Sequence, residues 1–548
     1  MKNARVLLLY VDRYYLIKQV YPFGLDLIAS YLREHGHQVT LEYPFLPGPD
    51  LKSNLSEILE RTRPQVVGLG IRNIDTCMSC EAYGDYGDGE YRTFYFLPDV
   101  REIAGLIKKH APGMPVVAGG GGFTISPEAI LKYLGLEYGI VGQGEESLLR
   151  FIEAWPDREK LGRIPGLARL NGGFRVNPGK AYGFSGAALL SGRDRKFQYA
   201  LERMGLPVQV KRGCNQGCSY CVEPIIEGRE FTFREIGEVM EELGRASLEN
   251  EGVRNIFFVD TEFNLPNLSY CSQLVERIVE QGLSERFSFS SQFLPRPFDR
   301  GFARLLTRAG FSVILTCDSF SDHVLERNHA SYREEDTIRA LNTCEEFGLD
   351  CAVSMVFGLP GETHDTLNHS IERMKQYPPG FFRRYEYTIG ARIYRGTRLC
   401  RTVERGGEEA HLYGIRSKGL IEPFYFCAPV SPRRIKLYVE ESLGYTISYE
   451  NRYDETAFQS LAIAYGADQG RWEEAMAQFR ESNLPARSAI YDYLFRKLTG
   501  SGRIHEARLI SQELLSSMEQ YGGSGCRDQM ELIRFYMSMT GTQKDPST

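Results

Sequence analysis

The stretch VKRGCNQGCSYCVEP, residues 210–224, sets Cys214, Cys218 and Cys221 in one short loop. Glycines stand before the first two cysteines and Tyr220 before the third. Three ionisable sulfurs at Cys-x3-Cys-x2-Cys spacing form a ligand pattern, not a packing pattern. Structural zinc wants a fourth His or Cys close by, and the neighbourhood offers none. Cys77 and Cys80 complete such a site only if their part of the chain folds over the loop. An iron–sulfur cluster on three thiolates instead leaves one iron open. That vacancy has a use if the iron must bind a substrate or cofactor.

Downstream, strand and helix patterns alternate. PVQVKRG (207–213), NIFFVD (255–260), FSFSSQF (287–293), FSVILTCDS (311–319), LDCAVSMVFG (349–358) and RRYEYTIGARI (383–393) read as strands. Helical patterns such as TFREIGEVMEELGRA (232–246) lie between them. Six β/α units in a row predict a partial barrel over 206–431. Its first strand feeds the cysteine loop.

Upstream, residues 1–155 hold five near-continuous apolar strands with crossover helices, beginning with ARVLLLYV (4–11). This predicts a doubly wound, Rossmann-like parallel sheet, which binds ligands beyond its strands' carboxyl ends. The third strand is followed there by RNIDTCMSCEAYGDYGDGEYRTFYF (72–96), the fourth by GGGGFTISPE (119–128), the fifth by GQGEES (142–147). The aromatics of the long insertion, Tyr83, Tyr86, Tyr91, Phe94, Tyr95 and Phe96, suit either a flat apolar ligand or packing of the loop itself. The glycine run also suits a dinucleotide phosphate, but no Gly-x-Gly-x-x-Gly opens the first helix.

Residues 156–205 read as a connector with weak strand signals. After residue 432 the strands stop. GRWEEAMAQF starts at Gly470 and GRIHEARLIS at Gly502, an offset of 32 residues. That period suits tetratricopeptide-like helix pairs, and a helical-hairpin cap suits it equally. The last residues, TGTQKDPST, read as a frayed tail.

The 548 residues are 42% hydrophobic with net charge −6. No basic stripe argues for nucleic acid, and no apolar run reaches membrane-span length. The N-terminus reads as a buried strand, not a signal sequence. Twelve cysteines without a secretion signal place the chain in the cytoplasm, most as free thiols.

The cysteine motif, with Tyr220 before its last member and after the first strand of a six-unit series, resembles the radical S-adenosylmethionine (SAM) superfamily. The resemblance implies a [4Fe–4S] cluster on Cys214, Cys218 and Cys221. Its open iron binds SAM, which one electron cleaves to a 5′-deoxyadenosyl radical. It also places Tyr220, Asp260, Glu262, Gln292, Asp318, Ser319, Gly358 and Arg392 around SAM. Glu262 has two readings, a ligand to the open iron or a strand-end acceptor.

The five-strand domain in front resembles that of cobalamin-dependent radical SAM enzymes, as do RIYRGT (392–397, with Arg395 where that class has proline) and EPFYFCAP (422–429). The resemblance spans about residues 1–430 and leaves the helical tail, 432–548, outside. It implies cobalamin held by Gly70, Arg72, Asn73, Gly119, Gly120, Gly121, Gly142, Gly144 and Glu145. The Asp-x-His-x-x-Gly loop of base-off corrinoid carriers is absent. Arg72 is placed under the corrin, where a guanidinium cannot become a metal ligand; contact with the cofactor's tail is the other reading.

The implied activity is methylation of a carbon of a small molecule, with the methyl passing from SAM through methylcobalamin. Arg72 and Glu262 are the catalytic candidates. The chain also resembles tryptophan 2-C-methyltransferases. A cobalamin-dependent cyclase is the rival; a tRNA methylthiotransferase and a corrinoid sensor are further ones. A flavodoxin or ferredoxin is the implied electron donor, and the helical tail is a place for a protein partner.

Overall fold

The computed structural model describes residues 1–48, 50–81, 84–179, 183–184, 193–250, 252–407, 409–444, 455–521 and 526–541. Tyr83 and residues 542–548, most of the segment read as a frayed tail, lie outside these.

The N-terminal sheet has the order β2-β1-β3-β4-β5-β6-β7. Its strands are β1 (Arg5–Tyr10), β2 (Gln38–Glu42), β3 (Val66–Gly70), β4 (Val116–Gly119), β5 (Tyr138–Ile140), β6 (Leu167–Arg169) and β7 (Arg175–Val176). The first five are parallel. Helices cover both faces, so β3 is apolar and buried throughout, and β1 is buried from Val6 to Tyr10. The helix Leu51–Thr62 shows the local rules at work. Asp50 caps it through the amides of Lys52 and Ser53, and Arg63 ends it in the left-handed region before Pro64. The segment expected to be a connector does more. Its β6 and β7 add antiparallel to β5 and cover an otherwise open edge.

The second sheet is all parallel, in chain order: β8 (Leu206–Val208), β9 (Asn255–Phe258), β10 (Ser288–Phe293), β11 (Phe311–Thr316), β12 (Cys351–Phe357) and β13 (Arg383–Ile389). This is the six-unit partial barrel. Burial alternates with period two along β10, β11 and β13. The buried positions face the helices: Phe258, Phe289 and Phe311 stack on one another, and Phe293 meets Phe302 of the helix Arg300–Arg308 at 6.2 Å. The alternate positions face the interior and stay partly open.

The long insertion after β3 does not stand free at a mouth. It forms a small hairpin, and Tyr91, Phe94, Tyr95 and Phe96 are buried, so these aromatics pack the loop. It docks on the barrel's end. The Ser79 hydroxyl donates to Ile389 O, and the Tyr425 hydroxyl donates to Met78 O at 3.2 Å. A three-stranded antiparallel sheet, which includes Ala391–Arg392 and Phe424–Phe426, receives it.

The tail folds as two stacked hairpins, Glu455–Asp468 with Trp472–Glu481 and Leu484–Gly500 with Ile504–Tyr521, followed by Arg527–Gly541. Gly470 and Gly502, the residues that set the period, both turn the chain at positive φ (71° and 74°). From Glu455 on, the tail packs against the N-terminal domain and the connector, while its first helix, Pro432–Leu443, lies on the barrel, where Glu440 accepts from the Tyr387 hydroxyl at 3.0 Å. Tyr43 N donates to the Tyr465 hydroxyl at 3.2 Å, and Asp468 accepts from Tyr199 N at 2.9 Å while pairing with Lys497 at 2.8 Å.

Candidate active site

The cysteine loop is pinned on three sides. Gly213 has φ +99°, and a Cβ there would fall 2.1 Å from Glu230 O, so no side chain fits. Its N–H donates to the Glu227 carboxylate at 3.1 Å, and Cys214 N donates to Gly228 O at 3.0 Å. Ser219 donates through its N–H to Asn328 O and through its hydroxyl to Asn328 Oδ1, while Leu399 N donates to Ser219 O. Burial raises the Asp318 carboxyl, and the neighbouring Tyr220 and Tyr332 hydroxyls oppose the shift.

Burial pushes all three thiols up, Cys221 to about 12. They ionise at neutral pH only when a metal compensates, so cluster assembly is coupled to proton release. Among the described residues, no three His, Cys, Asp or Glu side chains converge as single-ion ligands. A four-iron cube takes each thiolate at a different corner and has no need of such convergence.

Glu262 follows β9 with φ +53°, in the left-handed region. Both its carboxylate oxygens accept from the Thr316 hydroxyl, at 2.8 and 3.0 Å. Burial raises its pKa to about 7, against the stabilising Thr316 bond and the Lys211 charge. It lies within electrostatic reach of Cys214 and Cys218. Both readings of Glu262 therefore persist, with the carboxylate aimed at the cluster's side of the barrel. Gln292 is open to the same interior.

Other residues expected around SAM are structural. Asp260 is buried and accepts from the amides of Val210 and Lys211 at 2.9 and 2.7 Å, clamping the loop to β9. Ser319 is buried against Ser370 and accepts from Ser321 N. Gly358 is buried at φ +86°, where a Cβ would meet Cys427 Sγ at 2.6 Å, and its N–H binds Glu362. Arg392 spends its guanidinium on Asp75 and on the carbonyls of Ile393, Phe424 and Leu420, between the rings of Tyr394 and Tyr425. Four of its five N–H donors are used in this way.

The N-terminal sheet presents its carboxyl edge to this loop. Gly121 lies against Ile226, whose helix Glu223–Ile226 directly follows the third cysteine. Gly120 sits at φ +102°, where a Cβ would strike Ile71 O at 2.4 Å. Gly142 faces open space, as does Gly119 but for Ile140 O at 3.9 Å. This bare backbone suits a bulky flat ring system. Gly70 and Gly144 are instead packing glycines, against Leu25 and Ile28. Glu145 is taken by Arg212, at 2.9 Å, and so bridges the two domains. Asn73 is half-buried beside Asp12.

Arg72 is the unusual group at this edge. Its side chain is exposed, yet protein surrounds and desolvates it. The surface it shows is that of an internal cleft. It lies within electrostatic reach of Tyr10 and Asp12 and 5.6 Å from the Tyr14 ring. Two acids that sequence reasoning passed over also face it. Asp12 is raised to about 6, mainly by burial, and one of its oxygens has no partner. Glu223 is raised to about 7 by burial and by Glu227, against the pull of Arg72. The one visible signal was a carboxylate two places after the last cysteine.

Comparison with known proteins follows this geometry. Residues 208–374 match the model of the radical SAM superfamily, and the barrel is a radical SAM domain. The tryptophan 2-C-methyltransferase of Streptomyces laurentii is 27% identical over 420 residues, which cover 65% of this chain and 68% of that protein. The radical SAM methyltransferase TsrM from Kitasatospora setae, solved with tryptophan and a SAM analogue, shares the fold with a TM-score of 0.68 and 23% identity, over 87% of this chain and 99% of that one. The cobalamin-dependent radical enzyme OxsB matches with a TM-score of 0.61 and 15% identity, over 99% of this chain and 85% of that one.

Proposed function

We propose that the chain is a cobalamin-dependent radical SAM methyltransferase that moves a methyl group from SAM to a carbon of an aromatic small molecule. The observation that carries this reading is the contact of the Glu223–Ile226 helix with Gly121. It sets the three-thiol loop against a glycine-walled cleft that holds Arg72. When bound, the iron–sulfur cluster anchors SAM at its open iron, and cobalamin supplies a cobalt centre that accepts a methyl group and passes it to carbon.

The chain's own residues do the rest. Cys214, Cys218 and Cys221 hold the cluster, and Tyr220 and Asp318 brace the loop beneath it. Glu262 faces the open iron's side. Gly119, Gly120, Gly121 and Gly142 let the corrin approach backbone. Arg72 places a permanent positive charge there that cannot ligate cobalt, with Asp12 and Tyr10 fixing its position. Gln292 contacts SAM from within the barrel. A flavodoxin or ferredoxin in the cytoplasm supplies the electron, and the helical tail offers a surface for a protein partner. No helix among the described residues is long and apolar enough to cross a membrane.

The test is anaerobic reconstitution with iron, sulfide and cobalamin, followed by incubation with SAM carrying a labelled methyl group and a panel of indoles. Label in a carbon-bound methyl of the product is the expected result. SAM cleavage to 5′-deoxyadenosine with ring closure and no label in the product points to the cyclase.

A further inference from the structure

The barrel interior is polar where such barrels are ordinarily filled by bulky branched side chains. Its inward positions include Ser290, Gln292, Ser312, Thr316 and Ser354, interrupted by Phe257, Ile314 and Val356; all are partly open, while their outward neighbours are buried. One row crosses three strands. Thr316 is in register with Ser354, and Ser354 with Glu386. Thr316 gives its hydroxyl to Glu262, so the row runs from the cluster's side of the barrel to a second carboxylate, Glu386.

That second carboxylate is half-buried, and among the described residues it has neither a hydrogen bond nor an ion pair. The nearby cations are committed elsewhere. Arg384, two positions earlier on the same face, is bidentate to Asp350 at 2.6 and 2.7 Å. Lys211 donates to Thr261 O at 2.7 Å and lies within electrostatic reach of Glu262. No inward position of β9 to β12 carries lysine or arginine. A lone negative charge in a recess lined by hydroxyls and an amide favours a cation that enters from solvent.

We infer that Glu386 binds the ammonium group of the substrate, which is therefore an amine-bearing molecule whose ring lies toward the cluster. This rests on the methyltransferase reading for the location of substrate. Ser354 supplies a neutral hydrogen bond, and Glu386 supplies the charge that rejects a neutral or acidic analogue.

Tryptamine and 3-ethylindole share ring and chain and differ in the ammonium group, so they are the probes. Their binding to the reconstituted full chain is measured by calorimetry, in the wild type and in Glu386→Gln, which keeps the side chain's shape. The wild type should prefer tryptamine by about tenfold or more, and the variant should lose most of that preference. Equal affinity for the two, no binding of either, or an unchanged preference in the variant overturns the assignment. SAM affinity of the variant is measured in parallel. If it falls while the amine preference persists, Glu386 serves SAM's own cation and the inference fails. Cobalamin retention is read optically in the same samples; its loss counts against the methyltransferase reading, whereas the amine preference is read with or without it.

Discussion

The Asp75 carboxylate and the Arg392 guanidinium meet at 2.7 Å with both side chains almost fully buried. One comes from the insertion after β3, the other from the strand that follows the barrel. They belong to different domains and are 317 positions apart. Together with the Cys77 thiol, 2.7 Å from the Tyr394 hydroxyl, they fix the N-terminal domain on the barrel's end. The cleft lies between those two bodies, so its geometry depends on this pair.

Breaking the pair on one side should therefore be costly. Asp75→Ala leaves a buried guanidinium with no counter-charge, a loss of about 3–5 kcal/mol. Asp75→Leu with Arg392→Met should cost less than either single change, because no charge is stranded. Thermal unfolding of the four proteins checks this. A double variant as unstable as the sum of the singles would show that packing around the two side chains matters more than their charges.

The three cysteines should act as one unit. Replacing Cys214, Cys218 and Cys221 together by alanine should abolish the iron–sulfur absorbance and all SAM cleavage. Cobalamin binding should survive, since its glycine wall and Arg72 lie on the other domain. Iron and sulfide analysis beside the cobalamin spectrum reads both halves. Stoichiometric iron in the triple variant would place the cluster elsewhere.

Arg72 should govern methyl transfer more than cobalamin affinity. It keeps its charge at every working pH and offers no lone pair, so it discourages a lower ligand that would hold the methyl on cobalt. Arg72→Ala and Arg72→Lys should both load cobalamin. The alanine variant should lose at least about tenfold in methyl transfer, and the lysine variant should keep part of it. Paramagnetic resonance of the Co(II) state should show no imidazole nitrogen splitting in the wild type. If Arg72→Ala binds cobalamin poorly yet transfers methyl normally once saturated, the side chain only anchors the cofactor's tail.

Glu362 gives a pH signature. Burial raises its pKa from 4.5 to about 7, although the amide of Gly358 and the Thr366 hydroxyl both donate to it. The folded chain thus holds this proton more tightly than the unfolded one. Its contribution is fully present below about pH 4.5 and is lost as pH rises toward 7, on the order of 3 kcal/mol across that window. Glu362→Gln should flatten this part of the stability profile between pH 5 and 7. An unchanged slope in the variant would assign the proton to another buried acid.

Much of this molecule was written locally. The two alternating series, the cysteine spacing and the glycine turns at 470 and 502 depend on periodicity, ligand count and backbone freedom, all properties of neighbouring residues. They were enough for the partial barrel, the doubly wound domain and the paired helices of the tail.

Tertiary structure decided what each polar residue does with its bonds. Asp260 and Arg392 look like ligand-binding residues in the sequence, and Asp260 binds backbone amides while Arg392 binds Asp75 and three carbonyls. Glu145 goes to Arg212. Glu386 reads as an ordinary strand residue until the register sets it beside Ser354, facing inward. A carboxylate's role depends on which donors reach it, and those donors come from strands and loops far apart in the chain. The sequence alone determined which chemistries were present; packing determined which groups were left free to use them.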